Sequence, residues 1–305
     1  MNKDIMKKAA PFLVLAAGIL WGTMGLYVRR LNNLGFTTIE IVAVRSVVTA
    51  VLLLAVLFFY NRELLKIRIK DIWCFVGTGI FSIVFFNYCY FKAITMTSLS
   101  VAAVLLYTAP AIVMVLSTFL FHEKITLVKV LSLLATFAGC VFVTGLVGDA
   151  GCLSVIGVLV GLGAGFGYAL YSIFSRYALE RGYHSLTISF YTFLFAAVAV
   201  LPLADVSIIY KTCEEDFRML GFYLIFGLVS TVIPYITYTL GLTAMENSKA
   251  SIIASVEPVA ATVLGILVFH EKMTISNLIG IVLVIGAIVV CNVEGSSIGK
   301  VQGTK

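Results

Sequence analysis

Charge is what this sequence has least of. Of its 305 residues, 12% are Asp, Glu, Lys or Arg and 61% are hydrophobic. A soluble domain carries roughly 25% charged residues to cover its water-facing surface. The deficit excludes a soluble enzyme, a nucleic-acid binder and a disordered chain, and it leaves a polytopic membrane protein. The net charge of +6 marks no DNA-binding patch, because the basic residues are scattered in short segments between apolar runs. No Walker A sequence appears, and Gly163-Ala164-Gly165 lies inside an apolar run, so ATP-driven transport by this chain alone is not supported. The six cysteines form no CxxC pair, and most sit within apolar runs as small packing residues. Neither a metal nor a cofactor is expected. Paired acids for an intramembrane enzyme are also missing, because Asp149 and Asp205 fall near loop ends.

What is present is a succession of apolar segments long enough to cross a bilayer, whose core takes roughly 20 helical residues. Ten fit, at about 11–28, 38–60, 72–92, 98–121, 126–147, 153–178, 186–204, 218–242, 249–269 and 275–293. They are continuously apolar rather than alternating, which favours helices over a barrel. The first run follows Lys3, Lys7 and Lys8 and outlasts the apolar core of a signal peptide, so it reads as a span.

Lys and Arg are unevenly shared between alternate loops. One side holds the N-terminal lysines, the Arg62–Lys70 loop, Lys124, Lys129, Arg176, Arg181, Lys249, Lys300 and Lys305. The other holds Arg29, Arg30, Lys92, Lys211, Arg218 and Lys272. The positive-inside rule then puts both termini in the cytoplasm, with the chain in an inner or plasma membrane.

The sequence also matches itself. Tyr107-Thr-Ala-Pro110 followed by Phe121-His122-Glu123-Lys124-Ile-Thr126 aligns with Ser255-Val-Glu-Pro258 followed by Phe269-His270-Glu271-Lys272-Met-Thr274. Upstream, Gly79 faces Gly227, Ser82 faces Ser230, Tyr90 faces Tyr238 and Ser100 faces Ser248. With the offset shortened by one, Gly18 faces Gly165, Arg29 faces Arg176 and Gly35 faces Gly182. The expected fold is therefore an all-α polytopic membrane protein of ten transmembrane helices, arranged as two five-helix repeats over 1–148 and 149–305. Five spans per half invert the second half, the plan of secondary transporters with alternating access.

Leu20-Trp21-Gly22-Thr23, Arg45, the Ala-Pro110 and Glu-Pro258 spans and the two His-Glu-Lys-x-Thr exits together resemble the drug/metabolite transporter superfamily, specifically its EamA-like members with two tandem repeats. The resemblance covers about residues 11–293. It implies a ten-helix inverted-repeat carrier in which spans 1–4 and 6–9 surround a central cavity and spans 5 and 10 lie peripherally. Known members of that family export or import small metabolites, amino acids among them, and a secondary active exporter of such a solute is the expected function. A uniporter or channel-like permease, or a lipid or nucleotide-sugar carrier of the same superfamily, is the alternative.

Candidate substrate or coupling residues are the few polar groups at mid-membrane depth. Glu257 is costly there and reads either as a proton-coupling or amine-binding carboxyl, or as a group stabilising the break at Pro258. Arg45 reads either as a side chain snorkelling to the outer interface or as an inward group for a carboxylate, with an Arg45–Glu257 gate conceivable. Trp21, Asn87, Tyr88, Tyr107, Tyr168, Tyr171, Tyr235 and Tyr238 could line a cavity for amphipathic solutes or serve as packing. Pro110 and Pro258 each remove a backbone hydrogen bond in mid-span and suit a hinge or cavity wall as well as a fixed kink. His122-Glu123 and His270-Glu271 read as helix-exit anchors on opposite membrane faces, with gating contacts as the alternative. The expected partners are a small-molecule substrate and the lipid bilayer, with a homodimer left open and nucleic acid excluded.

Overall fold

A computed structural model describes residues 3–146 and 154–301. The boundary expected at 148/149 lies outside them. The described chain is helical, with α1 (Lys3–Gly22), α2 (Met24–Asn33), α3 (Thr38–Tyr60), α4 (Ile72–Val76), α5 (Phe85–Met96), α6 (Leu99–Leu106), α7 (Ala109–Phe121), α8 (Leu127–Val143), α9 (Val155–Glu180), α10 (Ser185–Val200), α11 (Val206–Glu215), α12 (Arg218–Gly227), α13 (Ile233–Leu242), α14 (Asn247–Ala254), α15 (Glu257–Phe269) and α16 (Ile275–Val301). Several join end to end. Among the described residues, nine stretches are long and apolar enough to cross a membrane, and Leu127–Val143 is a shorter apolar helix.

Helix starts are written locally. Thr37 and Glu40 form a reciprocal capping box at α3, with the Thr37 backbone N–H donating to Glu40 Oε2 at 2.7 Å. The Asp205 amide donates to the other Glu40 oxygen at 3.2 Å. Glu40 is thus a tie between loops and not a partner for Arg45. Thr126 caps α8 by accepting from the Lys129 amide at 3.3 Å. Thr274 and Asn277 cap α16 reciprocally at 3.1 and 3.0 Å. The threonine closing each His-Glu-Lys-x-Thr exit therefore starts the next helix. The α8 helix stops several residues short of the expected 147, because Thr144 Oγ1 donates back to the Cys140 carbonyl and Gly145 adopts φ 74°.

Backbone irregularities recur at the positions the self-match pairs. Gly35 and Gly182 turn the chain at φ 86° and 85°, and His122 and His270 sit in the left-handed region at φ 55° and 54°. Span-length stretches pass through π-helical segments at Gly77–Val84 and Leu228–Val232. The stretch Leu99–Phe121 breaks at Tyr107-Thr108, and Asn247–Phe269 breaks at Ser255-Val256. Pro110 and Pro258 each occupy the first turn of the half-helix after the break, where the missing N–H leaves no gap in the ladder.

Packing is reciprocal as well. Helix α1 packs on α13, α14 and α15, and α9 packs on α5, α6 and α7. The most extensive pairing joins α8 to α16. There a Cβ on Gly139 would lie 2.9 Å from the Gly280 carbonyl, and one on Gly280 would lie 2.6 Å from the Gly139 carbonyl, so the backbones approach as only glycine permits. The main buried cluster lies centrally and includes Trp21, Tyr171, Phe193, Tyr235, Tyr238, Leu242 and Ile253. Segment 205–217, which reads as a loop, contains amphipathic α11. Its Ile208, Ile209 and Cys213 pack under Leu31, Phe36 and Tyr223, while Val206 and Tyr210 face outward.

Candidate functional site

A narrow central cavity of about 20 Å³ is walled mainly by aromatic rings from α1, α9 and α13. Trp21 stands at its centre, 5.1 Å from Tyr235, 5.3 Å from Tyr238 and 6.3 Å from Tyr168 between ring centroids. Tyr171 meets Tyr235 edge to face at 4.9 Å, and Phe193 backs Tyr235 at 4.8 Å. Such edge-on arrangements lock ring orientation.

Hydrogen bonds fix the hydroxyls. Tyr171 and Thr239 share one at 2.9 Å, and Ser172 and Tyr238 share another at 2.7 Å, both between α9 and α13. Tyr168 donates to Glu257 Oε2 at 3.1 Å. Glu257 is the first residue of α15, so its carboxylate lies at the positive end of a half-helix, where peptide dipoles favour negative charge. Five of the aromatic residues expected to face a cavity, namely Trp21, Tyr168, Tyr171, Tyr235 and Tyr238, do line it. Tyr107 caps the end of α6 at the break and packs against the same central cluster.

Arg45 is 2% exposed. This corrects the snorkelling expectation: the side chain lies within the bundle because α3 is covered by α10 and α12. Its Nη1 approaches Met24 Sδ at 3.2 Å, and Nε and Nη2 find no hydrogen-bond partner among the described residues. Its charge is within Coulombic reach of Tyr235 and Glu257. No direct Arg45–Glu257 ion pair is found among the described residues, so the conceivable two-residue gate is not formed.

Two other expectations change. Tyr88 is 67% exposed on the outside of α5, because one residue turns about 100° from its neighbour around a helix. Asn87 is buried, but its Nδ2 donates to the Ile83 carbonyl at 2.6 Å and is committed to its own helix where the π segment ends. Neither lines the cavity.

At the helix exits, His122 and His270 form left-handed caps, and the next amide bonds back in both, Glu123 to the Ser117 carbonyl at 3.2 Å and Glu271 to the Gly265 carbonyl at 3.3 Å. The two carboxylates then differ. Glu123 is buried and accepts from the backbone amides of Asn247 at 2.7 Å and Ser248 at 3.1 Å, and from the Ser248 hydroxyl. Glu271 is 56% exposed and pairs with Arg29 at 3.2 Å.

Ser82, Ile83, Phe86 and Ser172 complete the cavity wall and were not singled out from sequence. Ser82 did carry a signal, its match with Ser230. Lys129, expected in a loop, is 2% exposed and pairs with Glu246 at 2.8 Å.

Comparison with known proteins agrees with this architecture. The model of the EamA-like transporter family matches residues 8–145 and again 155–293. An Archaeoglobus fulgidus protein named an uncharacterized transporter is 27% identical over 290 residues, covering 93% of this chain and 96% of its own. The Bacillus subtilis transporter YwfM, also named uncharacterized, is 28% identical and covers 88% of this chain and 89% of its own. A solved crystal structure superposes with a TM-score of 0.76 at 18% identity over 95% of this chain and 99% of that one, a likeness of fold. Two matched segments, a helical membrane bundle and transporter relatives along nearly the full length lead to one assignment: the chain belongs to the EamA-like transporter family.

Proposed function

We propose that the chain is a secondary active transporter that carries a small organic metabolite by alternating access around the Trp21–Tyr168–Tyr171–Tyr235–Tyr238 cavity. In this reading ten helices form two five-helix repeats of inverted topology, over 1–148 and 149–305, with the Leu127–Val143 helix as the fifth span. Both termini lie in the cytoplasm of a cell membrane, and transport runs outward. The solute is amphipathic, such as an amino acid, with no cofactor and with protons as the coupling ion.

One observation carries the reading. Behind the wall of one aromatic cavity, a buried guanidinium with two unpaired nitrogens lies within Coulombic reach of Tyr235, and a carboxylate at a half-helix start accepts from Tyr168. An unpaired buried cation is costly, and a bound anionic group would satisfy it. Glu257, linked to the cavity through Tyr168, suits a substrate ammonium or a transported proton, and the aromatic faces suit the solute's apolar body and cationic end.

The test is flux in proteoliposomes for solutes first found by comparing metabolites of cells with and without the chain. Saturable flux that follows a pH gradient, with coupling lost in Glu257→Gln, is expected. Flux indifferent to both removes proton coupling and leaves a uniporter, and non-saturating conductance would instead make the chain a channel.

A further inference from the structure

Glu123 and Glu271 leave their helices through the same backbone hook, yet one is buried and the other is in solvent. Glu123 crosses between repeats. It closes over the free amides of the first two residues of α14, beside Arg176, whose Nε donates to Asn247 Oδ1 at 3.0 Å. The matching target for Glu271 is the start of α6, at Leu99 and Ser100. Glu271 does not reach it. It lies back over Gly265, where a Cβ would fall 2.6 Å from its Oε2, and pairs with Arg29, itself the match of Arg176. The surrounding helices differ in the same sense. Helix α7 packs against α14, whereas α15 makes no comparable packing against α6 among the described residues. Ser251 of α14 is 6% exposed, while its match Ala103 of α6 is only partly buried.

We infer that Glu123 and Glu271 are alternating gate carboxylates: the structure is the state in which Glu123 has sealed its side by capping α14, and transport requires Glu271 to cap α6 as Glu123 lets go. The inference rests on the alternating-access reading above and names the groups that perform the alternation. A carboxylate on the first amides of a helix is a favourable cap, and exchanging one such cap for its equivalent keeps the cost of switching small. The exchange is not even. Lys129–Glu246 and Arg176–Asn247 also hold the Glu123 side, and their matches on the other side, Asn277 with Ser98 and Arg29 with Leu99, cannot make either contact. The resting protein therefore favours the state seen here.

The experiment places reporter cysteines at Ser251→Cys and Ala103→Cys and follows labelling by a membrane-impermeant maleimide, in right-side-out and inverted membrane vesicles, with the parent chain's own labelling subtracted. In the parent background Ala103→Cys labels quickly and Ser251→Cys slowly. Adding Glu123→Gln raises Ser251→Cys labelling about tenfold, the weight of one lost cap, and lowers that of Ala103→Cys. Glu271→Gln does the opposite, suppressing the slow labelling of Ser251→Cys. Ser248→Ala, which keeps Glu123 and removes one contact, moves labelling as Glu123→Gln does but less, and guards against a misfolded variant. Shifts in the same direction for both Glu variants, or none while both reporters still label, overturn the gate and leave alternating access standing. A Ser251→Cys that never labels in any folded variant overturns both.

Discussion

Replacing Arg45 by methionine separates a binding group from a structural one. Arg45 is 2% exposed and spends one donor on a thioether, leaving Nε and Nη2 unpaired. Each unpaired buried donor costs about 1–3 kcal/mol. Exchanging a buried charge for an apolar side chain of similar volume is commonly neutral or stabilising by about 1–4 kcal/mol. Methionine fills much of the same space against Met24. The expected outcome is therefore opposite in sign for the two properties: Arg45→Met unfolds at an equal or higher temperature, and its flux falls at least tenfold. Arg45→Lys keeps the charge but loses the planar fork, so it lowers flux with little effect on stability. Unfolding of the protein in lipid nanodiscs, followed by tryptophan fluorescence, gives the first property, and proteoliposome uptake gives the second. If Arg45→Met lost about 3 kcal/mol or more of stability, the guanidinium would be a structural partner, as removing one member of a buried pair costs about that much, and the binding role would fall.

Other perturbations follow from single contacts. Gly139→Leu should separate α8 from α16 and lower stability by several kcal/mol, because the added side chain meets the Gly280 backbone at its first carbon; loss of a monodisperse peak on size-exclusion chromatography is the readout. His122→Gly and His270→Gly should each stabilise by about 1 kcal/mol, since a left-handed backbone disfavours any residue with a Cβ, measured again by unfolding. His184 accepts at Nδ1 from the Leu186 amide at the start of α10, and burial holds its imidazole below the usual value. The neutral form is the one that caps. This contribution is present above the unfolded pKa near 6.5 and is lost as pH falls from there through the lower folded value. His184→Asn, which caps without titrating, should flatten the pH dependence of stability below pH 6.5, and an unchanged slope would exclude the cap.

The membrane spans are legible because apolar length alone determines them. The stretches Thr38–Tyr60, Arg218–Leu242 and Asn247–Phe269 begin and end within about two residues of the hydropathy boundaries. Pro110 and Pro258 mark where their two spans are interrupted, but the sequence reads a lost mid-span hydrogen bond at each, whereas both sit in a first turn, where no ladder bond is lost. What composition hides is any property settled by a residue far away. Lys129 looks like a loop cation until Glu246 is brought beside it from the other half. Arg45 lies near enough to a helix end to reach the interface, and only the packing of α10 and α12 over α3 decides otherwise. Tyr88 and Asn87 are polar at cavity depth, and the rotation of α5 after the π segment sends one outward and ties the other to Ile83. The aromatic box survives this test because its four tyrosines come from two helices, each repeating at three-residue spacing, Tyr168 with Tyr171 and Tyr235 with Tyr238, so that one rotation brings both of a pair in beside Trp21.

The matched break in the first half gives a control for Glu257 that few membrane carboxylates have. Ala109 stands where Glu257 stands: it opens the half-helix, precedes the proline and is buried at 1%. The break at 107–108 forms without a carboxylate, with the Thr108 hydroxyl donating to the Leu105 carbonyl at 2.6 Å. A break that needs no acid on one side gives no reason for an acid on the other. Glu257→Ala should accordingly fold and keep its break, losing about 1–3 kcal/mol for the Tyr168 hydroxyl left alone. That loss should shrink in the double variant with Tyr168→Phe, because both members of the hydrogen bond are then gone. Flux should stay low in both, since restoring packing does not restore a charge. If the double variant recovered transport along with stability, Glu257 would be serving only to hold Tyr168, and the solute or proton would have to be met by another group in the cavity.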